Sequence, residues 1–243
     1  MKKSLKYVSV PLTTLAGIVA IASPALASST PTSTPTSTPT TAVTPAQITQ
    51  LQNDINARIS LLEKLSGRIQ SAKELTSSDA ATLSAVVGSS TSGDIQAMQN
   101  LLSGVSSITT QSQLHLTYET LYDNYRIFAV VGPQVDLTIA EDQVQSVATS
   151  LIALEPTLNS LITSNGNNPT AQSAYTDLVS QAGDAQAAAN ALGSYPVSLT
   201  PVIYNTDPTG THSTITNDWQ QMKSAYANIK AARQDVSTII KNI

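Results

Sequence analysis

An all-α fold is predicted by three observations. Apolar residues recur at alternating three- and four-residue spacing over long stretches, helix-capping signatures stand where most of those stretches begin, and no strand-like alternation runs beyond a few residues. The arrangement expected for residues 44–243 is an elongated antiparallel bundle of long helices with coiled-coil-like packing. A domain of that size hides roughly 70% of its unfolded surface, so it needs no covalent staple.

Thr44-Pro45-Ala46-Gln47 opens the first helix: Thr44 caps, Pro45 suits the first helical position, and Gln47 completes a capping box. Ile48, Leu51, Ile55, Leu62, Leu65, Ile69 and Ala72 form its seam, with Arg58 at the seam position between Ile55 and Leu62, and the helix is expected to reach about Leu75. Thr76-Ser77-Ser78-Asp79 caps a second stretch through Leu83, Val86 and Val87. Gly88 and residues 89–93 interrupt it, and Ile95, Met98, Leu101, Leu102 and Val105 resume it. A third segment carries Leu114, Tyr118, Leu121, Tyr125 and Phe128, which Gly132-Pro133 is expected to end.

Thr138 and Glu141 read as another capping box, followed by a seam of Val144, Val147, Leu151, Leu154, Leu158 and Leu161. That seam is out of phase with the one before Gly132, so Pro133 is expected to mark a change of direction or register, and Pro156 a milder kink. Residues 165–169 read as a turn and a capped start for Ala171, Tyr175, Leu178, Ala182, Ala185, Ala189 and Leu192. Residues 193–210, with Pro196, Pro201 and Pro208, form the longest irregular stretch. The last helix is expected from near Ser213, with Ile215, Trp219, Met222, Tyr226, Ile229, Val236, Ile240 and Ile243 in its seam and Arg233 among them.

Residues 1–27 have the parts of an export signal. Lys2, Lys3 and Lys6 precede a short apolar run over 8–21, and Ala25-Leu26-Ala27 is a small-x-small site that places cleavage before Ser28. The run is too short, and too interrupted by Pro11, for a spanning helix of about 20 residues. Residues 28–43 repeat Pro-Thr-Ser-Thr and read as a disordered linker that spans some 40 Å when extended, either a stalk open to O-glycosylation or a plain spacer.

Cysteine is absent from all 243 residues, which excludes disulfides, thiol nucleophiles, Cys-ligated zinc, iron–sulfur clusters and a lipidated cysteine. Three of the twelve basic residues lie in the export signal, leaving nine scattered cations against sixteen acids. A nucleic-acid binder needs a basic stripe, and none is present. Charged residues make up only 12% of the chain, which predicts stability that varies weakly with pH.

The stretch 122–137 runs from Tyr122 through Tyr125-Arg126 and the apolar 127–131 to Pro133-Gln134. It resembles a segment of uncharacterised secreted, coiled-coil-rich helical proteins of actinobacteria and related bacteria. The resemblance implies architecture and location and carries no catalytic residues.

Tyr118, Tyr122, Tyr125 and Phe128 concentrate aromatics on one helix, and Arg126 has the spacing to stack on Tyr122. Periodicity assigns Tyr118, Tyr125 and Phe128 to the core and leaves Tyr122 flanking it. Tyr122, Arg126 and the lone Trp219 are therefore the candidate binding residues. His115, Glu119 and Asp123 share a helix face but lack a converging ligand set, so no metal or other cofactor is expected. No Gly-x-Ser-x-Gly elbow, paired Ser-x-x-Lys motif or phosphate loop occurs, and Glu141 and Asp142 point to different helix faces.

The function expected is that of an exported, non-enzymatic helical protein, secreted or held at the cell wall. It acts by surface contact, through self-association or on a cell-envelope component. The alternative is a small-ligand or glycan-binding module using the aromatic segment and residues 193–210, and a metal-dependent enzyme is the reading with least support.

Overall fold

The computed structural model describes residues 42–243, so the expected export signal and nearly all of the expected linker lie outside the described residues. Helix α1 spans Pro45–Ser71, and its start is the expected reciprocal box. Thr44 Oγ1 accepts the Gln47 amide at 3.3 Å while Gln47 Oε1 accepts the Thr44 amide at 2.9 Å. Its buried face is Leu51, Ile55, Arg58, Leu62, Leu65 and Ile69, the predicted seam with the arginine in place. The helix ends four residues earlier than expected, because Ala72 turns extended and its amide closes on the Arg68 carbonyl. That turn leaves Thr76 free to take the extended backbone of a cap.

Thr76 caps α2 (Ser77–Val87), and α3 (Asp94–Gly104) follows a tight loop. A Cβ on Gly93 would lie 2.1 Å from the Gly88 carbonyl oxygen, so only glycine permits this approach. A 3₁₀ turn, Val105–Ser107, leads to α4 (Gln111–Glu119), which opens on a Thr110–Gln113 capping box. The entering chain is pinned beside that box. Ala42 bridges Thr110, and Gln111 Nε2 meets the Ala42 carbonyl at 3.4 Å.

After α4 the predicted continuous helix breaks. Two π-helical turns, Thr120–Asn124 and Ile127–Val131, flank Arg126, which stands in the left-handed region at φ 45°, ψ 36°. Each wide turn shifts the helical register, so the buried positions run from Leu121 to Ile127 rather than to Tyr125 and Phe128, and Phe128 is 52% exposed. The helix is therefore broken at Arg126, seven residues before Pro133, while the register shift of the second π turn ends at Gly132, beside the proline.

Helix α5 (Gly132–Ile152) follows the second π turn without a gap, and Pro133 stands in its first turn. The Gly132 amide reaches back to the Ile127 carbonyl, and this wide turn makes room for the proline ring that would clash with an ordinary one. Thr138 is no cap: it is buried in mid-helix and donates its hydroxyl to the Gln134 carbonyl at 2.8 Å. Pro156 begins a separate helix, α6 (Glu155–Ser164), rather than kinking one.

Asn168 caps α7 (Pro169–Leu192) through the Thr170 and Ala171 amides, and every expected seam residue of α7 is buried except the half-buried Tyr175. Residues 193–210 are more ordered than expected, holding α8 (Tyr195–Ser198) and α9 (Pro201–Thr206). Helix α10 (Pro208–Lys241) starts earlier than predicted, capped by Asp207 on the Gly210 amide. Its buried row is Ile215, Asp218, Met222, Ala225, Ile229, Ala232 and Ile239. Trp219, Tyr226 and Arg233 flank that row, and Ile240 is 57% exposed.

Two cores result. Helices α1 to α4 enclose one with Ile127, Val131, Val135 and Ile139. Helices α6, α7 and α10 close the other over Leu137, Ala140, Val144, Ala148 and Leu151. Helix α5 serves both, which is why eight of the ten positions from Val130 to Ile139, all but Pro133 and Asp136, are buried. Among the described residues the structure is all-helical, and no helix is long and apolar enough to cross a membrane.

Candidate functional site

The broken helix between α4 and α5 carries the most unusual chemistry of the molecule. Arg58, held in mid-α1 and only 5% exposed, lies between two rings, its Cζ 4.6 Å from the Tyr122 centroid and 5.0 Å from that of Phe128. Its Nη1 donates to the Asp54 carbonyl at 2.8 Å, while its Nε has no partner. A buried guanidinium without a carboxylate is costly, and the two ring faces offset part of that cost, each by about 0.5–2 kcal/mol. Tyr118 stacks on Tyr122 with centroids 6.0 Å apart and planes 18° from parallel. Burial pushes the Tyr118 phenol up, and its neighbour Asp54 adds to the rise.

Arg126 forms a second unit beside the first. Its Nε donates to Asn205 Oδ1 and its Nη2 to Asp123 Oδ1, both at 2.8 Å, and its Cζ lies 5.1 Å from the Tyr204 ring. Asn205 Nδ2 donates back to the Asp123 carbonyl at 2.7 Å. This reciprocal set fixes a non-glycine residue in the left-handed region, a conformation that persists only where its surroundings over-determine it.

The expected stack of Arg126 on Tyr122 is replaced by a crossed arrangement. Arg58 takes Tyr122, and Arg126 takes Tyr204, because the π turn and the left-handed residue carry Arg126 away from its i−4 neighbour. The aromatic segment and residues 193–210 do meet, through Tyr204 and Asn205. Trp219 does not join them; it is half-buried and packs on the core of α5, α7 and α10. The parts that sequence reasoning missed are Asp54, Tyr204, Asn205 and the exposed Phe128. Only Arg58, a cation at a seam position, signalled that something on a neighbouring element must receive it.

Tyr122 is 41% exposed, so with Phe128 it places two partly exposed rings at the surface, each in contact with Arg58. Asp123 and Asn205 stand at the edge as hydrogen-bonding groups. His115 pairs with Glu119 at 3.1 Å on the open surface, and among the described residues no group of three acids, histidines or cysteines is disposed to hold a metal ion. An open groove of about 430 Å³ lies on the other side of α9, lined by Tyr195, Val202, Ile203, Asp207 and Thr211.

No protein-family profile, no curated protein and no solved structure matches the chain.

Proposed function

We propose that this is an exported, non-enzymatic protein of the cell envelope or surrounding medium that works by surface contact, and that its contact surface is the ring pair Tyr122 and Phe128. The observation that carries this reading is the exposure of both rings over a buried Arg58 that holds them in place. Exposed rigid aromatics bind with little loss of side-chain freedom, which is why such residues anchor contact surfaces. The export signal over 1–27, the linker over 28–43 and the resemblance of 122–137 to secreted helical proteins support the location. The seam spacing of α1 and α7 supports an elongated antiparallel bundle with coiled-coil-like packing, which small-angle scattering of the full chain tests.

The experiment is capture from cell-envelope extract by the full chain, compared with the double variant Tyr122→Ala, Phe128→Ala. Both side chains are exposed enough for the variant to fold, as helical circular dichroism verifies. Loss of the captured component supports the reading, and undiminished capture by the folded variant overturns it. A second reading, a glycan-binding module, is favoured by Asp123 and Asn205, whose polar groups border the rings as sugar hydroxyls require. Titration with soluble cell-wall fragments, followed by calorimetry, separates the two.

A further inference from the structure

Helix α9 has two sides. Val202 and Ile203 lie on the open groove, 73% and 39% exposed. Tyr204 and Asn205 meet the broken segment between α4 and α5. The Asn205 carboxamide contacts that break twice: its Nδ2 donates to the Asp123 carbonyl at 2.7 Å, and its Oδ1 accepts Arg126 Nε at 2.8 Å. An unbroken α-helix would offer the Asp123 carbonyl the Ile127 amide. Here a donor comes from a side chain 82 residues further along the chain.

Arg126 is the residue on which the break turns. It has φ 45° and ψ 36°, and its carbonyl accepts the Ala129 and Val130 amides at 3.0 and 2.8 Å, which starts the next helical turn. A non-glycine residue keeps that conformation only under outside constraint. The Arg126 bond to Asp123 Oδ1 lies within the segment itself. Among the described residues, the hydrogen-bonding and ring partners that another element gives Arg126 are Asn205 Oδ1 and the Tyr204 ring, 5.1 Å from its Cζ. The constraint therefore comes from α9.

Tyr122 stands before Arg126 and Phe128 after it, so the left-handed residue sets how the two rings lie relative to each other. The spacing of Leu114, Tyr118, Leu121, Tyr125 and Phe128 belongs to a competing arrangement, an uninterrupted helix with Phe128 on its buried seam. The native chain leaves Phe128 52% exposed instead.

We propose, resting on the reading of Tyr122 and Phe128 as the contact surface, that Asn205 and Tyr204 are its positioning residues. Helix α9 clamps Arg126 in the left-handed region and so keeps Phe128 out of the seam that its own spacing favours. Asparagine suits the task because its carboxamide brings a donor and an acceptor on one short planar group, whereas an aspartate would bring acceptors alone.

Phe128 is the one phenylalanine of the 243 residues, so fluorophenylalanine incorporated into the full chain gives a fluorine NMR signal from this ring alone. The unaltered protein is expected to show one resonance, broadened by a soluble paramagnetic agent. Asn205 is exposed on a six-residue helix, so Asn205→Ala is expected to fold. Loss of its two hydrogen bonds should raise the population of the seam-facing form about tenfold, seen as a second resonance protected from the agent. Tyr204→Phe, which keeps the ring over Arg126, and Val202→Ala, on the groove side, are expected to keep one exposed resonance. A single unchanged resonance in folded Asn205→Ala overturns the clamp, as does a second resonance in either control. Unfolding of Asn205→Ala also overturns it, because the residue would then support the fold rather than place the rings. The signal needs no partner, so the clamp and the contact surface fail separately. A split resonance with undiminished capture from envelope extract supports the clamp and overturns the ring pair as the contact surface.

Discussion

The two cores on either side of α5 bury their helices with side chains of opposite size. Around α1 the filling is branched and large: Leu51, Ile55, Leu62, Leu65, Leu83, Met98 and Leu121 are all at most 1% exposed. Between α7 and α10, the most extensively packed pair, it is small: Ala171, Ala174, Ala182, Ala185 and Ala189 face Ala225 and Ala232 with Leu178, Met222 and Ile229 between them. Large residues fill the space between the 27-residue α1 and the short helices α2, α3 and α4. Small ones let two long helices approach along their length, as ridges settle into shallow grooves. The two designs should therefore fail in opposite ways, one by leaving a void and the other by having no room.

The largest expected effect is a void in the first core. Leu62 is fully buried, and Leu62→Ala should cost about 3 kcal/mol from lost transfer energy and a cavity that neighbouring helices cannot collapse. Urea denaturation measures this, and a loss below about 1 kcal/mol would mean this core is loosely filled. In the second core, Ala185→Leu should cost about 2 kcal/mol because the added methylenes have no space along the α7–α10 contact. A neutral result would show that α7 and α10 do not approach as closely as their alanines allow.

How much of each core was legible follows from the same contrast. In α1 the largest residues are the buried ones, so periodicity finds the seam, and even Arg58 falls where the spacing puts it. In α10 the largest residues mislead. Spacing through Trp219, Tyr226 and Ile240 describes a plausible stripe, but packing against alanines selects Asp218, Ala225, Ala232 and Ile239, one position earlier. Arg233 leaves the seam with that shift. The site was legible as a cluster of residue types and not as a geometry. A 4-3-4-3 reading of 114–128 assumes uninterrupted α-helix, and nothing in the residues announces two π turns and a left-handed Arg126. Likewise Tyr204 and Asn205 are 79 or so positions from Arg126 and meet it only through tertiary folding.

The pH dependence sharpens the comparison next, because the carboxylates with altered affinity bind protons more tightly when folded. Asp94 is pushed up to about 6 and Glu141 to about 7, and burial also raises Asp136, Asp142, Asp218 and Asp235. The weak dependence expected from low charge density therefore gives way to a definite sign. Folded carboxyls raised above their unfolded values destabilise the protein above those values, and that penalty is relieved as pH falls through 7 and 6. Thermal melting should shift upward by about 5 °C between roughly pH 8 and pH 5. A downward shift would mean that these acids are stabilised by partners in the fold.

Arg58 and Arg233 compare the two cores at a single residue type. Arg58→Leu removes a buried cation and leaves an apolar chain among Tyr122, Phe128 and α1, so stability should change by less than about 1 kcal/mol, in either direction. The rings it braces should lose their fixed spacing, read as weaker capture of the envelope component. Arg233→Leu, at a half-buried flank of α10, should change neither stability by more than about 0.5 kcal/mol nor capture. Equal effects at both positions would erase the distinction between a seam cation and a flanking one.

Pro133 gives the smallest expected effect and tests the junction that both cores share. In the native chain the Gly132 amide bonds to the Ile127 carbonyl across a π turn, and Pro133 has no amide to offer the turn before it. Pro133→Ala restores that donor and removes the ring, so an ordinary α turn becomes available behind residue 133. The π turn nevertheless places Ile127 and Val131 in the first core and Val130 in the second, contacts that an α turn would rotate away. Packing should hold the π turn in place, and urea denaturation should find a change of less than about 0.5 kcal/mol. Loss of more than about 2 kcal/mol would show that the proline ring itself selects the wide turn. A gain of about 1 kcal/mol with weaker envelope capture would show the turn relaxing to α-helix and drawing Phe128 off the surface, so that the exposed ring pair is maintained against the helix's own preference.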